Sequence, residues 1–202
     1  SCLHKGKGLP KSDWKSYRLI SLLSVVGKLF EAIFSNRITN FLNENNLLSS
    51  SQGGFRGGGR RCSHHSWSLA EIIKSTARQG KLTFVAFLDV KKAYPTVFRA
   101  AHLKRLHVII SKGPGGNPTQ RSKTWSLIQD MYKKCTSKIR IDGQESEEYE
   151  VLHGLREGAP LSPILYAVFI DAVAHELEKC DGIKIGVEKF CSMLYANDIV
   201  LT

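Results

Sequence analysis

Two aspartates sit where a folded chain would hold a carboxylate rigidly. Asp89 closes an apolar, β-rich run, LTFVAFLDV (residues 82–90), and Asp198 lies in the short polar centre, Ala196-Asn197-Asp198, of SMLYANDIVLT (residues 192–202). A carboxylate flanked by buried strand residues is fixed at the rim of a sheet, which suits a hard divalent cation with oxygen ligands. One such aspartate alone reads more readily as a cap or turn residue. The pair carries meaning only with its neighbours.

A cationic theme runs beside the acidic one. The 202 residues carry 29 Lys and Arg against 18 Asp and Glu, a net charge of +11. Residues 1–140 hold 25 basic and 6 acidic side chains, whereas residues 141–202 hold 4 and 12. Such a split suits a polyanion held by one part and cations held by another, although lysines and arginines can equally serve only to solubilise a face. The densest basic stretch is also the richest in glycine: SSSQGGFRGGGRRCSHHS has five glycines in the seven positions 53–59, which forbids regular structure. Arg56, Arg60 and Arg61 there can approach a phosphate because glycines remove steric cover; solvated loop charge is the plainer reading. The loop is not a phosphate-binding P-loop, since it lacks the GK[ST] ending and follows a helix. Cys62, His64 and His65 invite a zinc site, but no second ligand pair stands at suitable spacing. Lys91 and Lys92 are open to both solvent and backbone phosphate.

The elements that must position these groups are legible in outline. Residues 25–42 place Val25, Val26, Leu29, Phe30, Ile33, Phe34, Ile38 and Phe41 at helical spacing, an amphipathic helix. Residues 67–79 look helical, 82–90 read as a buried strand, and helices are expected near 99–110 and 121–135. SKIRI and YEVL read as two strands joined by a turn beginning at Asp142-Gly143. Ser162 at an N-cap and Pro163 behind it open a helix with apolar Leu165, Val168, Phe169, Ala172 and Val173. SMLYANDIVLT reads as a β-hairpin. The class is therefore mixed α and β. No stretch is apolar for long enough to span a membrane, and residues 1–14 lack a signal-peptide core. Five irregularly spaced cysteines with no CxxC pair read as reduced thiols, so an intracellular protein, nuclear or cytoplasmic, is expected. A first residue other than Met and a last strand cut short suggest a fragment.

Taken in order, PKSDWKSYRLISLLSVVGKLFE (10–31), SQGGFRGGGRR (51–61), FLDVKKAYPTV (87–97), GLREGAPLSPILY (154–166) and YANDIVL (195–201) resemble the successive blocks of reverse transcriptases, above all those of non-LTR (LINE-type) retrotransposons. The resemblance spans residues 10–201. It implies an α+β fold, the fingers and palm of a right-hand polymerase, with fingers at 1–80 and palm at 81–202. It also implies an antiparallel palm sheet with helices on one face, and the thumb absent. The implied activity is RNA-directed DNA polymerisation by two-metal nucleotidyl transfer, with Mg²⁺ or Mn²⁺, an RNA template, a DNA primer and dNTPs.

The same resemblance assigns roles. Asp89 matches the first metal-binding aspartate, Val90 the position whose carbonyl adds a ligand, and Tyr94 the aromatic under the incoming sugar. Arg18 matches the arginine near the triphosphate, where a planar fork suits phosphate oxygens. Glu157, Gly158, Pro160 and Leu161 match the loop and helix start beside the nascent base pair, and Arg56, Arg60 and Arg61 the template side.

The chain departs from the pattern where it matters. Asn197 stands where the family carries its second metal-bridging aspartate, and an amide offers one neutral oxygen in place of a full charge. Asp198 matches the less essential neighbour. Glu157 replaces a usual Gln, Pro95 an Asp and Leu19 a Pro. The expectation is a reverse transcriptase by descent with activity severely impaired or lost; the alternative is a catalytically silent nucleic-acid-binding remnant. A nucleotide-binding protein of another kind would need a phosphate cradle that the sequence lacks.

Overall fold

Local signals set most element boundaries in the computed structural model, which describes residues 1–6, 8–57, 61–112, 118–141 and 143–202, without the side chains of residues 112, 118 and 120. The elements run β1 (Cys2–His4), a 3-10 turn (Trp14–Ser16), β2 (Tyr17–Leu19), α1 (Val25–Glu44), α2 (Cys62–Arg78), β3 (Ala86–Asp89), α3 (Arg99–Lys112) and α4 (Pro118–Lys133). Then follow β4 (Thr136–Ser137), β5 (Arg140–Ile141), β6 (Gln144–Glu145), β7 (Tyr149–Glu150), α5 (Ser162–Leu177), β8 (Ile183–Ile185), β9 (Glu188–Phe190), β10 (Ser192–Tyr195) and β11 (Asp198–Leu201). Ser24 caps α1, its Oγ accepting from the Gly27 amide at 3.0 Å. The helix stops where Asn46 turns left-handed (φ 50°) and the Leu47 amide bonds back to Leu42. Gly80 (φ 68°) ends α2 in the same manner, with its own amide and that of Lys81 returning to Ala77 and Thr76.

The chain forms two compact units, each assembled from two separate stretches: Ser1–Ser35 with Tyr94–Ser162, and Asn36–Ala93 with Pro163–Thr202. In the first, β1 pairs antiparallel with β2 and α3 packs on α4. The expected two-stranded segment is a nested hairpin in which β5 pairs β6 and β4 pairs β7 outside it; Asp142 of the expected turn lies outside the described residues. Val97, Leu106, Ile128 and Leu161 are buried in this unit. In the second, the hairpin β10–β11 adds β3 in the antiparallel order β10-β11-β3, and Ile72, Leu165, Met193, Leu194 and Ile199 are buried.

Two expectations are corrected. The run at 82–90 is an edge, with strand structure only at Ala86–Asp89 and Leu82, Phe84 and Phe87 exposed by 87%, 83% and 72%. Among the described residues β11 is its one paired strand, and an apolar run reads alike for a covered and an uncovered strand. The face of α1 that carries Val25, Val26, Leu29 and Ile33 is exposed, while Glu31, Ile38 and Leu42 are buried. Glu31 turns inward because it has an ionic partner there, which outweighs the local apolar periodicity. Among the described residues no helix is long and apolar enough to cross a membrane, and all five cysteines are free thiols.

Candidate active site

Strand pairing brings Asp89 and the hairpin tip together across more than a hundred residues of sequence. The register of β11 on β3 sets Asp198 directly opposite Asp89, Ile199 opposite Leu88 and Val200 opposite Phe87. Directly opposed residues share one face, with Cβ atoms roughly 4.5–5.5 Å apart. The two carboxylates therefore leave the same side of the same sheet end. The pairing continues one step beyond the strands: the Val90 amide donates to the Asn197 carbonyl at 3.2 Å, and Asn197 Nδ2 donates to Asp89 Oδ1 at 3.0 Å.

The tip is a two-residue turn, Ala196-Asn197, closed by Tyr195 paired with Asp198. Ala196 has φ 59° and Asn197 does not, the signature of a II′ turn, where glycine is the unstrained choice at the first central position. Holding alanine there costs on the order of 1–2 kcal/mol, so surrounding structure must over-determine the tip.

Whether these residues suit a divalent cation follows from their donor atoms. Asp89 and Asp198 supply two carboxylates on one face, and the Val90 carbonyl belongs to the residue next to Asp89. Mg²⁺ needs one or two carboxylates with waters and phosphate oxygens. One such ion fits that donor set. Asn197 does not contribute as an aspartate would, because it presents its amide N–H to Asp89 and thereby occupies Oδ1. Among the described residues no group of three or more His, Cys, Asp or Glu side chains could hold a metal; Cys62, His64 and His65 form none.

Of the other residues assigned from sequence, Arg18, Tyr94, Glu157 and Gly158 belong to the first unit. Arg18 is exposed on β2, in register with Leu3. Tyr94 is half-buried, and its hydroxyl pKa is raised above the ordinary phenol value first by burial and then by the charge of Glu157, so these two residues are electrostatic neighbours. The Ser21 amide donates to the Glu157 carbonyl at 2.7 Å. Gly158 has φ 95°, and a Cβ there would come within 2.8 Å of Ile20 Cγ2. The segment after Arg18 and the segment 157–158 are thus in van der Waals contact, which requires glycine at 158. An open cavity of about 630 Å³ lies along this seam, lined by residues that include Ile20, Ser21, Arg99, Cys135 and Glu157.

Two residues that hold the seam were not singled out by sequence. Glu31 is 3% exposed and pairs with Arg156 Nη1 at 3.2 Å, and its other oxygen accepts from the Leu161 amide at 3.3 Å. Arg156 also donates to the Met131 carbonyl at 2.8 Å and lies over the Tyr132 ring. The one local signal was a carboxylate set between Phe30 and Ala32 in the helix stretch. In the glycine-rich loop, Arg56 is 3% exposed, with its guanidinium on the carbonyls of Leu48, Ser49 and Gln52. It serves the loop's own backbone, where the sequence suggested a phosphate contact. Arg61 is exposed at the start of α2, and Arg60 lies outside the described residues.

Residues 9–202 match the sequence profile of the family described as Reverse transcriptase (RNA-dependent DNA polymerase). The chain is 29% identical over 189 residues to the "Retrovirus-related Pol polyprotein from type-1 retrotransposable element R2" of Nasonia vitripennis, covering 94% of this chain and 17% of that protein. It is 25% identical over 203 residues to the "Probable RNA-directed DNA polymerase from transposon X-element" of Drosophila melanogaster (100% and 20%), and 27% identical over 171 residues to the "RNA-directed DNA polymerase from mobile element jockey" of the same fly (83% and 17%). It spans a fifth or less of the length of these relatives. With five motif blocks in order and the family profile running almost from end to end, the chain belongs to the reverse transcriptase (RNA-dependent DNA polymerase) family, in its non-LTR retrotransposon branch.

Proposed function

We propose that this chain is the fingers (residues 1–80) and palm (residues 81–202) of an RNA-directed DNA polymerase, weakened in the chemical step, with helices covering one face of the palm sheet. The observation that carries the reading is the pairing of Asp89 with Asp198, with Asn197 bonded to Asp89 between them. A divalent ion on such an edge would activate a primer 3′-hydroxyl and neutralise charge on a phosphate. Asp89, Asp198 and the Val90 carbonyl are the groups to hold it. The residues themselves orient and select: Arg18 presents a permanent cation to a triphosphate, Tyr94 underlies the sugar, and Gly158 leaves room for Ile20 beside it. Glu157 opposes a polyanion and so weakens nucleotide binding. Arg61 supplies a cation to the template phosphates, the role that the sequence also gives to Arg60. The partners are an RNA template, a DNA primer and dNTPs, and the location is intracellular.

The Asn197–Asp89 bond also favours a second reading, a nucleic-acid-binding remnant without turnover. Primer extension on an RNA template in Mg²⁺ and in Mn²⁺ separates the two. The first reading expects weak dNTP incorporation that vanishes in Asp89→Ala and rises in Asn197→Asp. The second expects salt-dependent RNA–DNA binding with no incorporation by any of the three.

A further inference from the structure

The strained hairpin tip is held from outside the sheet, by the glycine-rich segment. Residues 51–53 meet β10 through a single parallel bridge: Gln52 pairs with Leu194, the Leu194 amide donates to the Ser51 carbonyl at 2.8 Å, and the Gly53 amide donates to the Leu194 carbonyl at 2.8 Å. The next residue reaches the tip itself. A Cβ on Gly54 would collide with the backbone nitrogen of Ala196, and one on Gly53 would collide with the His65 imidazole. His65 in turn packs edge-on against Tyr195, with ring centroids 6.2 Å apart. The backbone clash makes glycine a requirement at 54, whereas at 53 a larger residue would displace the His65 ring.

The segment has its own anchor. Arg56 Nη1 donates to the Ser49 carbonyl at 2.6 Å and reaches those of Gln52 and Leu48 at 3.3 and 3.4 Å, and Nε donates to Asn43 Oδ1 at 3.2 Å. Asn43 Nδ2 returns a bond to the Arg56 carbonyl at 2.6 Å. Gln52, fully buried, accepts the Gly54 amide at 2.8 Å. On the other side of the segment the Ser49 amide donates to buried Asp171 of α5 at 2.7 Å, and the Ser49 hydroxyl bonds Glu178. A rigid fork with donors in two directions can gather several carbonyls at once, which a lysine ammonium cannot reproduce.

We propose that Arg56, Gly53 and Gly54 are positioning residues: Arg56 fixes the backbone of residues 48–52, this segment docks on β10, and Gly54 packs against Ala196 so that Asn197 and Asp198 are presented to Asp89. The consequence for nucleotidyl transfer rests on the function proposed above, whereas the structural coupling does not. Hydrogen exchange on the whole chain reads the coupling directly, in Gly54→Ala, Arg56→Lys and Arg56→Ala beside the surface control Lys74→Ala. The expected result is that Gly54→Ala and Arg56→Lys lose at least about tenfold of the protection at Leu194 and Gly53. The Val90 amide, which donates to the Asn197 carbonyl at the tip, should lose protection with them; the β11–β3 amides farther from the tip should keep theirs, and Lys74→Ala should change none of these. Should Arg56→Ala fail to fold, Gly54→Ala still decides, because it leaves every Arg56 bond in place. In the Asn197→Asp background, the same Gly54→Ala change should lower kcat for primer extension with KM for dNTP little altered. Unchanged protection at Leu194 and Gly53 in folded Gly54→Ala and Arg56→Lys would overturn the proposal. Altered protection without any primer extension would uphold it and count against the polymerase reading alone.

Discussion

Restoring a carboxylate at the tip should make the protein less stable and its stability metal-dependent. In Asn197→Asp the 3.0 Å amide bond to Asp89 is replaced by two anions at similar separation. Two unit charges about 4 Å apart repel by about 1 kcal/mol in water and about 4 kcal/mol at an effective dielectric of about 20. The pair is exposed, so the lower figure applies. Loss of the hydrogen bond, weakened by its exposure to solvent, adds about 1 kcal/mol, giving a net loss of about 2 kcal/mol. A cation bound only by the folded edge restores RT ln(1 + [M]/Kd), about 1.4 kcal/mol at ten times Kd. Urea denaturation in EDTA and in Mg²⁺ reads both effects through Cm at constant m. The parent, which binds the ion more weakly, should gain less from Mg²⁺ than the variant, and the variant should lag it in EDTA and recover most of the gap with the metal. A variant as stable as the parent in EDTA, or a gap that Mg²⁺ leaves untouched, would refute the argument.

Three further changes test the seam and the cores. Glu31→Ala removes the partner of Arg156 and orphans the Leu161 amide; with Arg156 still partly solvated, a loss of about 2–3 kcal/mol is expected by urea denaturation. Gly154→Ala places a Cβ within 2.6–2.8 Å of Pro95 backbone atoms at φ 79°, so both sterics and backbone strain oppose it, and a loss of at least about 2 kcal/mol should lower Cm. His102 has its pKa lowered to about 4 by burial and then by Arg105. The unfolded chain binds this proton first, so the contribution is complete above about pH 6.5 and is lost as pH falls towards 4, by at most about 3 kcal/mol. His102→Leu should flatten the stability profile in that window, and an unchanged slope would exclude His102 as its source.

Local pattern located the elements better than it located what supports them. Helical spacing located α1, α3, α4 and α5 to within a few residues, and turn chemistry located the β10–β11 hairpin, because these signals are local. The alternation of apolar and polar residues did not say which face of α1 is covered, since Glu31 is stabilised inside by an arginine 125 positions away. Arg56 misled for the same reason: a basic residue among glycines looks solvated until the carbonyls of residues 48, 49 and 52 are folded around it. The side of the sheet end shared by Asp89 and Asp198 depends on strand register, which the motif order implied but local pattern alone could not fix.

The central claim is that Asp89 and the hairpin tip form one cation-holding edge, blunted by the amide of Asn197. Mn²⁺ titration followed by paramagnetic broadening of backbone resonances tests it most directly. Broadening should begin at Val90, Asp198 and Ile199, should disappear in Asp89→Ala, and should set in at lower Mn²⁺ concentration in Asn197→Asp. Broadening that centres elsewhere on the chain, or that survives Asp89→Ala unchanged, would contradict it.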